Sequence, residues 1–481
     1  MRSSAWREVL AVAVPAGALA AAASVLGTTI HPLVPLLLVG VLAVVTLAVL
    51  RPITALYMAL ALAPLEAIYL DVGILVTPGQ ALLTLTAGAW LLKRTAAKEP
   101  IIVRSSLTAP FALGVALIPT GFLISETPFS VLKFLGLWTV LFVLIQMVLA
   151  EGDGQTVRRV MLAVAFAGAA FGIIAILTNG GQQEVAEFGR QASGRARAGF
   201  GSPNRLGEYL ALAIPCQVAL LLRGPSALRL PMLAFVALSS VGLALTLSRG
   251  AYIGFAGAVL LLLAWGSFRR AFAVVAPVVV IASVLGVHPP GSVIRLDVVW
   301  ERVTSIKYES GLNPRRVAFK NVPEVIADHP VLGVGAGSLE SVAGRYGLIV
   351  EGRPLNNAHN VFLHLPAERG LLALAAFLWL LAALARTLIY ACRHSSGENQ
   401  AYAFAIAAAW LSLLLSGMTD NVLEQDAIAG VAFVLMACAA VLAREAEEAP
   451  RSNAMESPGD VARVEESDER TQVSSVGAPG G

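Results

Sequence analysis

Val131-Leu-Lys-Phe-Leu-Gly-Leu-Trp-Thr-Val-Leu-Phe-Val-Leu-Ile-Gln-Met-Val-Leu-Ala150 holds one charged residue, Lys133, in twenty positions. A bilayer core of about 30 Å is crossed by roughly 20 apolar residues in a helix, which satisfies every backbone N–H and C=O inside the segment. The stretch predicts a membrane-spanning helix. Runs of the same kind recur along the 481 residues, which are 57% hydrophobic and 14% charged, where soluble domains are about 25% charged. The fold class is therefore all-α, a polytopic membrane helix bundle of about 12–14 transmembrane helices with one long extracytoplasmic loop. Residues 1–287 read as helices with short loops, 288–357 as the long loop, 358–444 as C-terminal helices and 445–481 as a tail.

The runs from Ile53 to Leu70 and from Leu107 to Ile124 are interrupted by Pro64 and Pro119, and read as broken or re-entrant segments. Val361 to Tyr390 reads as one candidate helical segment. The first run, Val9 to Gly27, has no clear small-residue cleavage site and suits a retained signal anchor. From Glu445 onward nine acidic residues stand against three basic ones, with few large apolar side chains. That composition predicts a disordered cytoplasmic tail.

Basic residues orient the bundle. Arg51, Lys93, Arg94, Arg158, Arg159, Arg223, Arg229, Arg269, Arg270, Arg386 and Arg393 follow even-numbered segments, and the positive-inside bias puts both termini in the cytoplasm. By the same parity Asn179 to Pro203, the turn Leu247-Ser248-Arg249-Gly250 and the loop from His288 to Asn357 face outward. Cys216, Cys392 and Cys438 fall in or beside helices, so the long loop has no disulfide staple. The chain shows no P-loop, no dinucleotide fingerprint and no zinc-type Cys/His spacing, so neither nucleotide hydrolysis, a cofactor, a metal nor nucleic acid enters the reading.

Chemistry concentrates on the outward face. Asn357-Ala-His359-Asn360-Val-Phe-Leu-His364-Leu-Pro-Ala-Glu368-Arg369-Gly370 runs from polar loop into apolar helix and carries four ionisable groups, each of which must be solvated, paired or given a ligand there. His359 reads equally as a general base, since histidine titrates near neutral pH, or as a helix cap. Glu368 and Arg369 read as a local pair. Gly194-Arg195-Ala-Arg197-Ala-Gly-Phe-Gly-Ser-Pro203-Asn204-Arg205 opens a helix with a Gly/Pro turn, a setting that favours an anion. Its arginines serve a phosphate ligand or only lipid headgroups. Arg249 stands in a tight turn on the side where the charge bias disfavours it, which points to an anion contact, with helix capping or lipid contact as the alternative. Arg315 and Arg316 open a segment with Val317, Phe319, Val322 and Val325 at helical spacing, expected as a short helix on the membrane face. Gly333, Gly335 and Gly337 follow as a flexible turn.

These pieces, in this order, resemble the O-antigen ligase and polymerase superfamily of integral membrane glycan transferases, often called the Wzy/WaaL type. The resemblance covers about Arg195 to Gly370: Gly199-Phe-Gly-Ser-Pro-Asn-Arg205 before a helix, Leu247-Ser-Arg-Gly250, the arginine-bearing loop with Pro330-Val-Leu-Gly-Val-Gly335, and His359-Asn360 followed by Glu368-Arg369-Gly370. Phe319 stands where the family often has tryptophan. The resemblance implies a GT-C-like bundle in a bacterial inner membrane, which the Ala-rich, Arg-over-Lys composition also suits. It implies a glycan donor on a polyprenyl diphosphate and an acceptor hydroxyl on a glycan, lipid or protein. It implies His359 as catalytic base, Arg195, Arg197, Arg249 and Arg315 or Arg316 on the diphosphate, Asn204, Asn360 and Glu368 in support, and metal-independent inversion. An O-antigen ligase, a Wzy-type polymerase and a protein O-oligosaccharyltransferase would share this donor site. A transporter is the reading from a different class, with Glu66, Lys133 and Glu208 as its ionisable candidates.

Overall fold

The computed structural model describes residues 43–65, 70–71, 75–178, 186–187, 190–191, 195–273 and 314–455. The chain is an all-α polytopic membrane protein. Its described helices are α1 Pro52–Leu62, α2 Pro78–Ala96, α3 Thr108–Ala116, α4 Pro128–Glu151, α5 Gly154–Thr178, α6 Pro203–Arg223, α7 Arg229–Leu245, α8 Arg249–Leu262, α9 Pro314–Asp328, α10 Val361–His394, α11 Gly397–Ser416 and α12 Asp426–Met455, with a helical stretch at 43–50 and short turns between. Among the described residues seven helices are long and apolar enough to span a membrane, eight if α8 and Gly266–Ala273, bent by 111°, form one span. The expected spans Val9 to Gly27 and most of Leu33 to Leu50 and Ala271 to Val287 lie outside the described residues, as do 288–313 of the long loop and Glu66.

Both proline-interrupted runs are short: α1 has 11 residues, and α3 gives way at Ile118 to a 3-10 turn with Pro119 at its start. Four helix starts carry side-chain caps. Thr77 and Gln80 form a reciprocal capping box on α2, and the Ser202, Ser248 and Asn360 side chains accept backbone N–H groups of α6, α8 and α10.

Helix α12 is the hub, 89% buried over its apolar window, whereas the span containing α7 is 28% buried and peripheral. Phe433 of α12 meets Phe111, Trp138 and Trp410 edge-on at 5.0, 5.4 and 5.7 Å between ring centroids. Where α5 crosses α7, a Cβ on Gly242 would lie 2.9 Å from the Cα of Gly172, the close approach by which small residues let membrane helices associate.

Residues 314–358 form a cap with a second core, in which Ala318, Val322 and Val325 of α9 meet Val334, Leu339, Tyr346, Leu348 and Leu355 and seat on Ala367 of α10. A two-residue hairpin, Ile349–Val350 against Arg353–Pro354, turns through Glu351 and Gly352 at φ +51° and +77°. Phe319 is 42% exposed, so the buried face of α9 runs through Ala318.

Three expectations need correction. The helix over 361–390 is broken at Gly370, where φ is +76° and ψ 173°. The glycine segment before it is docked, not loose: Val334, Gly335 and Leu371 N–H donate to Ala367, Glu368 and Pro330 carbonyls at 2.9, 2.8 and 2.7 Å. A Cβ at Gly370 would stand 1.9 Å from the Val331 oxygen, so only glycine permits this approach. The tail is also helical further than expected, to Met455. At that end Glu445 accepts from Gly154 N and Asn399 Nδ2 at 2.6 and 2.8 Å, and Arg444 donates to the Leu149 and Gly152 carbonyls at 2.8 and 2.6 Å.

Candidate active site

At the other end of the bundle, the starts of α4, α6 and α10, the end of α11 and the cap enclose a polar cleft of about 740 Å³. Its walls include Lys133, Arg195, Asn204, Arg205, Glu340, His359, Glu368, Asp420 and Glu424. Four of the residues expected from sequence thus meet in one cleft: Arg195, Asn204, His359 and Glu368.

A polar chain joins three of them to a fourth group. Arg195 donates through Nε to the Thr246 carbonyl at 2.9 Å and through Nη2 to Asn204 Oδ1 at 2.8 Å. Asn204 Nδ2 donates to Asp420 Oδ2 at 3.2 Å. Asp420 Oδ1 accepts from Asn421 N at 2.8 Å and lies 3.8 Å from His359 Nδ1. That last distance is ion-pair reach, too long for a direct hydrogen bond. His359 Nδ1 is buried without another partner, while the side chain as a whole stays 25% exposed. The carboxylate therefore favours the tautomer with a proton on Nδ1 and a basic Nε2. Burial pushes the Asp420 carboxyl up, but His359, the Asn421 N–H and Arg315 more than offset it and hold Asp420 below the usual carboxylate range.

His359 does not cap a helix; Asn360 does, accepting from Phe362 N at 2.8 Å and donating to the Met418 carbonyl at 3.2 Å. Backbone geometry fixes His359 instead, at φ +52° with its N–H on Asn357 Oδ1 at 2.7 Å.

Beneath the cleft lies a second network. Glu368 accepts from Gly337 N at 2.7 Å and Leu339 N at 3.3 Å, tying the cap to α10, and its Oε2 is 3.4 Å from His364 Nε2. His364 Nε2 lies 2.7 Å from Glu424 Oε2, and Arg369 donates to Glu424 Oε1 at 3.0 Å with its guanidinium between Phe134 and Trp138. Glu368 and Arg369 thus pair elsewhere, contrary to the local pair expected. Burial raises the Glu424 carboxyl, but His364, Arg369 and Asn421 pull it below its ordinary value. One ligand atom each from His364, Glu368 and Glu424 lie within 4.8 Å of one another, a spacing that could hold a metal ion. Here the backbone N–H groups and the guanidinium already satisfy both carboxylates.

The remaining arginines divide. Arg315 is half-buried and its charge acts on Asp420, whereas Arg316, one residue on, is exposed. Arg197 and Arg249 are half-buried too, and none of Arg197, Arg249, Arg315 and Arg316 is among the side chains lining the cleft. Sequence reading missed Asp420 and Glu424, although Thr419-Asp-Asn-Val-Leu-Glu424 sits between two apolar runs on the same predicted side as His359. Lys133 and Arg205 were seen but not assigned to this cleft.

No curated protein matches the chain. Residues 234–378, which include Arg249, Arg315, Arg316 and His359, match the family model Wzy_C, described as O-antigen ligase, a match that supports the O-antigen ligase and polymerase superfamily.

Proposed function

We propose that this cleft transfers a glycan from a polyprenyl-diphosphate carrier to an acceptor hydroxyl, as an O-antigen ligase-type membrane glycosyltransferase. The observation that carries the reading is the chain from Arg195 through Asn204 and Asp420 to His359 along one polar wall. His359 Nε2 takes the proton of the acceptor hydroxyl, whose oxygen bonds to the anomeric carbon opposite the diphosphate. The bond from that carbon to the diphosphate oxygen breaks, the electron pair leaves with polyprenyl diphosphate, and configuration inverts. Asp420 orients the imidazole and stabilises its cation. Arg195, Arg205 and Arg315 neutralise charge on the leaving diphosphate, a task that a permanently charged, forked donor suits. Guanidinium groups supply that neutralisation without a metal.

The start of a 21-residue helix, α6, adds backbone N–H groups at the same wall. The bundle is oriented with this cleft outward in a bacterial inner membrane: Arg158, Arg159, Arg223, Arg229, Arg269, Arg270, Arg386 and Arg393 all belong to its opposite end. Arg197 and Arg249, half-buried off the cleft lining, and Arg316, exposed, are not assigned to the diphosphate.

The test is a deletion strain complemented with the wild-type chain or with His359→Ala at matched protein level, comparing surface glycan with lipid-linked glycan on gels. Long glycan that accumulates on the carrier without reaching its acceptor is the expected result. Surface glycan reduced to single repeat units would instead assign a polymerase. Wild-type surface glycan with His359→Ala would overturn the assignment of the base.

A further inference from the structure

Lys133 is the one lysine inside the membrane-spanning helices of the described residues. It lies in the second turn of α4, on the face shared with Ser130 and Phe134, and all three side chains line the cleft. The same face meets the cap, where Ser130 and Phe134 crowd Gly337, the residue whose N–H binds Glu368. On the adjoining faces Phe129 and Leu132 are 56% and 54% exposed, as lipid-facing side chains of a span are. An ammonium held at that depth costs free energy unless something pairs with it, and among the described residues no carboxylate does.

The walls of the cleft carry three permanent cations, Lys133, Arg195 and Arg205, and four carboxylates, but three of those carboxylates have partners other than Lys133: backbone N–H groups meet Glu368, His364 and Arg369 meet Glu424, and Asn204 and Asn421 meet Asp420. Arg195 already donates to Thr246 and Asn204. A dianionic ligand needs a cation whose donors can turn to it, and a lysine ammonium on a flexible stem has three.

We infer that Lys133 binds the lipid-proximal phosphate of the carrier, at the line where the polar cleft meets the lipid-facing surface of α4. The ligand class is a diphosphate that carries a long isoprenoid chain on one phosphate and the glycan on the other. Its charged head sits between Lys133 and the α6 wall while its chain leaves past Phe129 and Leu132. This rests on the proposed reading of the cleft and adds to it the side from which the donor arrives. A bilayer phospholipid offers the same phosphate chemistry, so the experiment separates the two sources.

The full chain and its Lys133→Gln and Lys133→Arg variants are reconstituted in phosphatidylcholine nanodiscs and titrated with farnesyl diphosphate, a short isoprenoid diphosphate. Co-purifying phosphatidylglycerol is counted by native mass spectrometry. The expected result is that Lys133→Gln weakens binding at least about tenfold, the range of one charge-assisted hydrogen bond, and that Lys133→Arg returns to within about threefold. Because Lys133 is exposed, the variants fold as the wild type does, and matched thermal midpoints confirm it. Equal binding by wild type and Lys133→Gln, or a change confined to the phosphatidylglycerol count, overturns the inference and leaves the reading of the cleft standing. A wild type that does not bind farnesyl diphosphate overturns both.

Discussion

Asp420→Asn preserves the shape of the side chain and removes its charge, which isolates what the carboxylate does for His359. At 3.8 Å, and with the effective dielectric of about 20 that suits partly buried sites, an imidazolium and a carboxylate attract by about 4 kcal/mol. The imidazolium exists only after the acceptor proton has moved, so nearly all of this acts in the transition state and falls on kcat. That amounts to roughly a thousandfold at 25 °C. The acceptance by Asp420 of the Asn204 amide is also lost where the new amide turns its nitrogen that way, which loosens the link to Arg195. The assay is the initial rate of glycan transfer from a polyprenyl-diphosphate donor by purified protein in nanodiscs, with kcat and donor KM separated. A kcat reduced by two to three orders of magnitude, with donor KM within about threefold, is the expected outcome. If a folded Asp420→Asn protein keeps kcat within about threefold of wild type, the carboxylate does not serve His359 and the proposed mechanism is wrong.

Other predictions follow from single residues. Arg315→Ala lowers kcat/KM at least about tenfold whereas Arg316→Ala stays within about twofold, since one guanidinium acts on the cleft and the other is exposed; steady-state kinetics on the pair decides. Arg369→Met leaves the Glu424 carboxylate without its guanidinium and lowers stability by about 3–5 kcal/mol, the cost of breaking a buried pair, read as a fall in the detergent melting midpoint. Gly370→Ala drives a Cβ to 1.9 Å from the Val331 oxygen and abolishes folded protein, whereas Gly352→Ala, at nearly the same φ with open space around it, costs only about 1–2 kcal/mol; size-exclusion yield separates them. Asp420 and Glu424 both titrate below their ordinary values, so their stabilisation is complete above the unfolded values near about 4 and is lost as pH falls through the lower native ones. Melting midpoints should therefore hold from about pH 8 to 5 and drop below about 4, and the drop should shrink in an Asp420→Asn, Glu424→Gln double variant.

The spans were legible because apolar run length is a local property and the bilayer imposes it directly. The break at Gly370 was not. Apolar spacing continues through Leu371, Ala373 and Phe377, and one glycine in a helix costs only about 1 kcal/mol. What splits the helix is a segment more than thirty residues upstream, which needs the space and the carbonyls. His359, Arg195, Asn204 and Glu368 could be found because ionisable or amide groups at an outward helix start are costly without a purpose. Arg197, Arg249, Arg315, Arg316 and Asn360 satisfied the same test and are not among the side chains lining the cleft, since membrane side alone does not say which way a side chain turns. Asp420 and Glu424 were equally visible in sequence, but their link to His359 runs through the meeting of α10 with the end of α11, a contact between distant parts of the chain.

The polar tie at the end opposite the cleft has a practical consequence for the length of the chain. Arg444 and Glu445 hold the loop after α4 and the start of α11 through four hydrogen bonds, so the tail begins functionally after them. A chain cut back to Met455 retains every one of those bonds. A chain cut before Arg444 strips the Leu149 and Gly152 carbonyls and the Gly154 N–H of their partners and frees two helix junctions at once. The acidic tail can thus be trimmed or fused to a reporter, but the last turn before it is as much part of the folded body as any buried span.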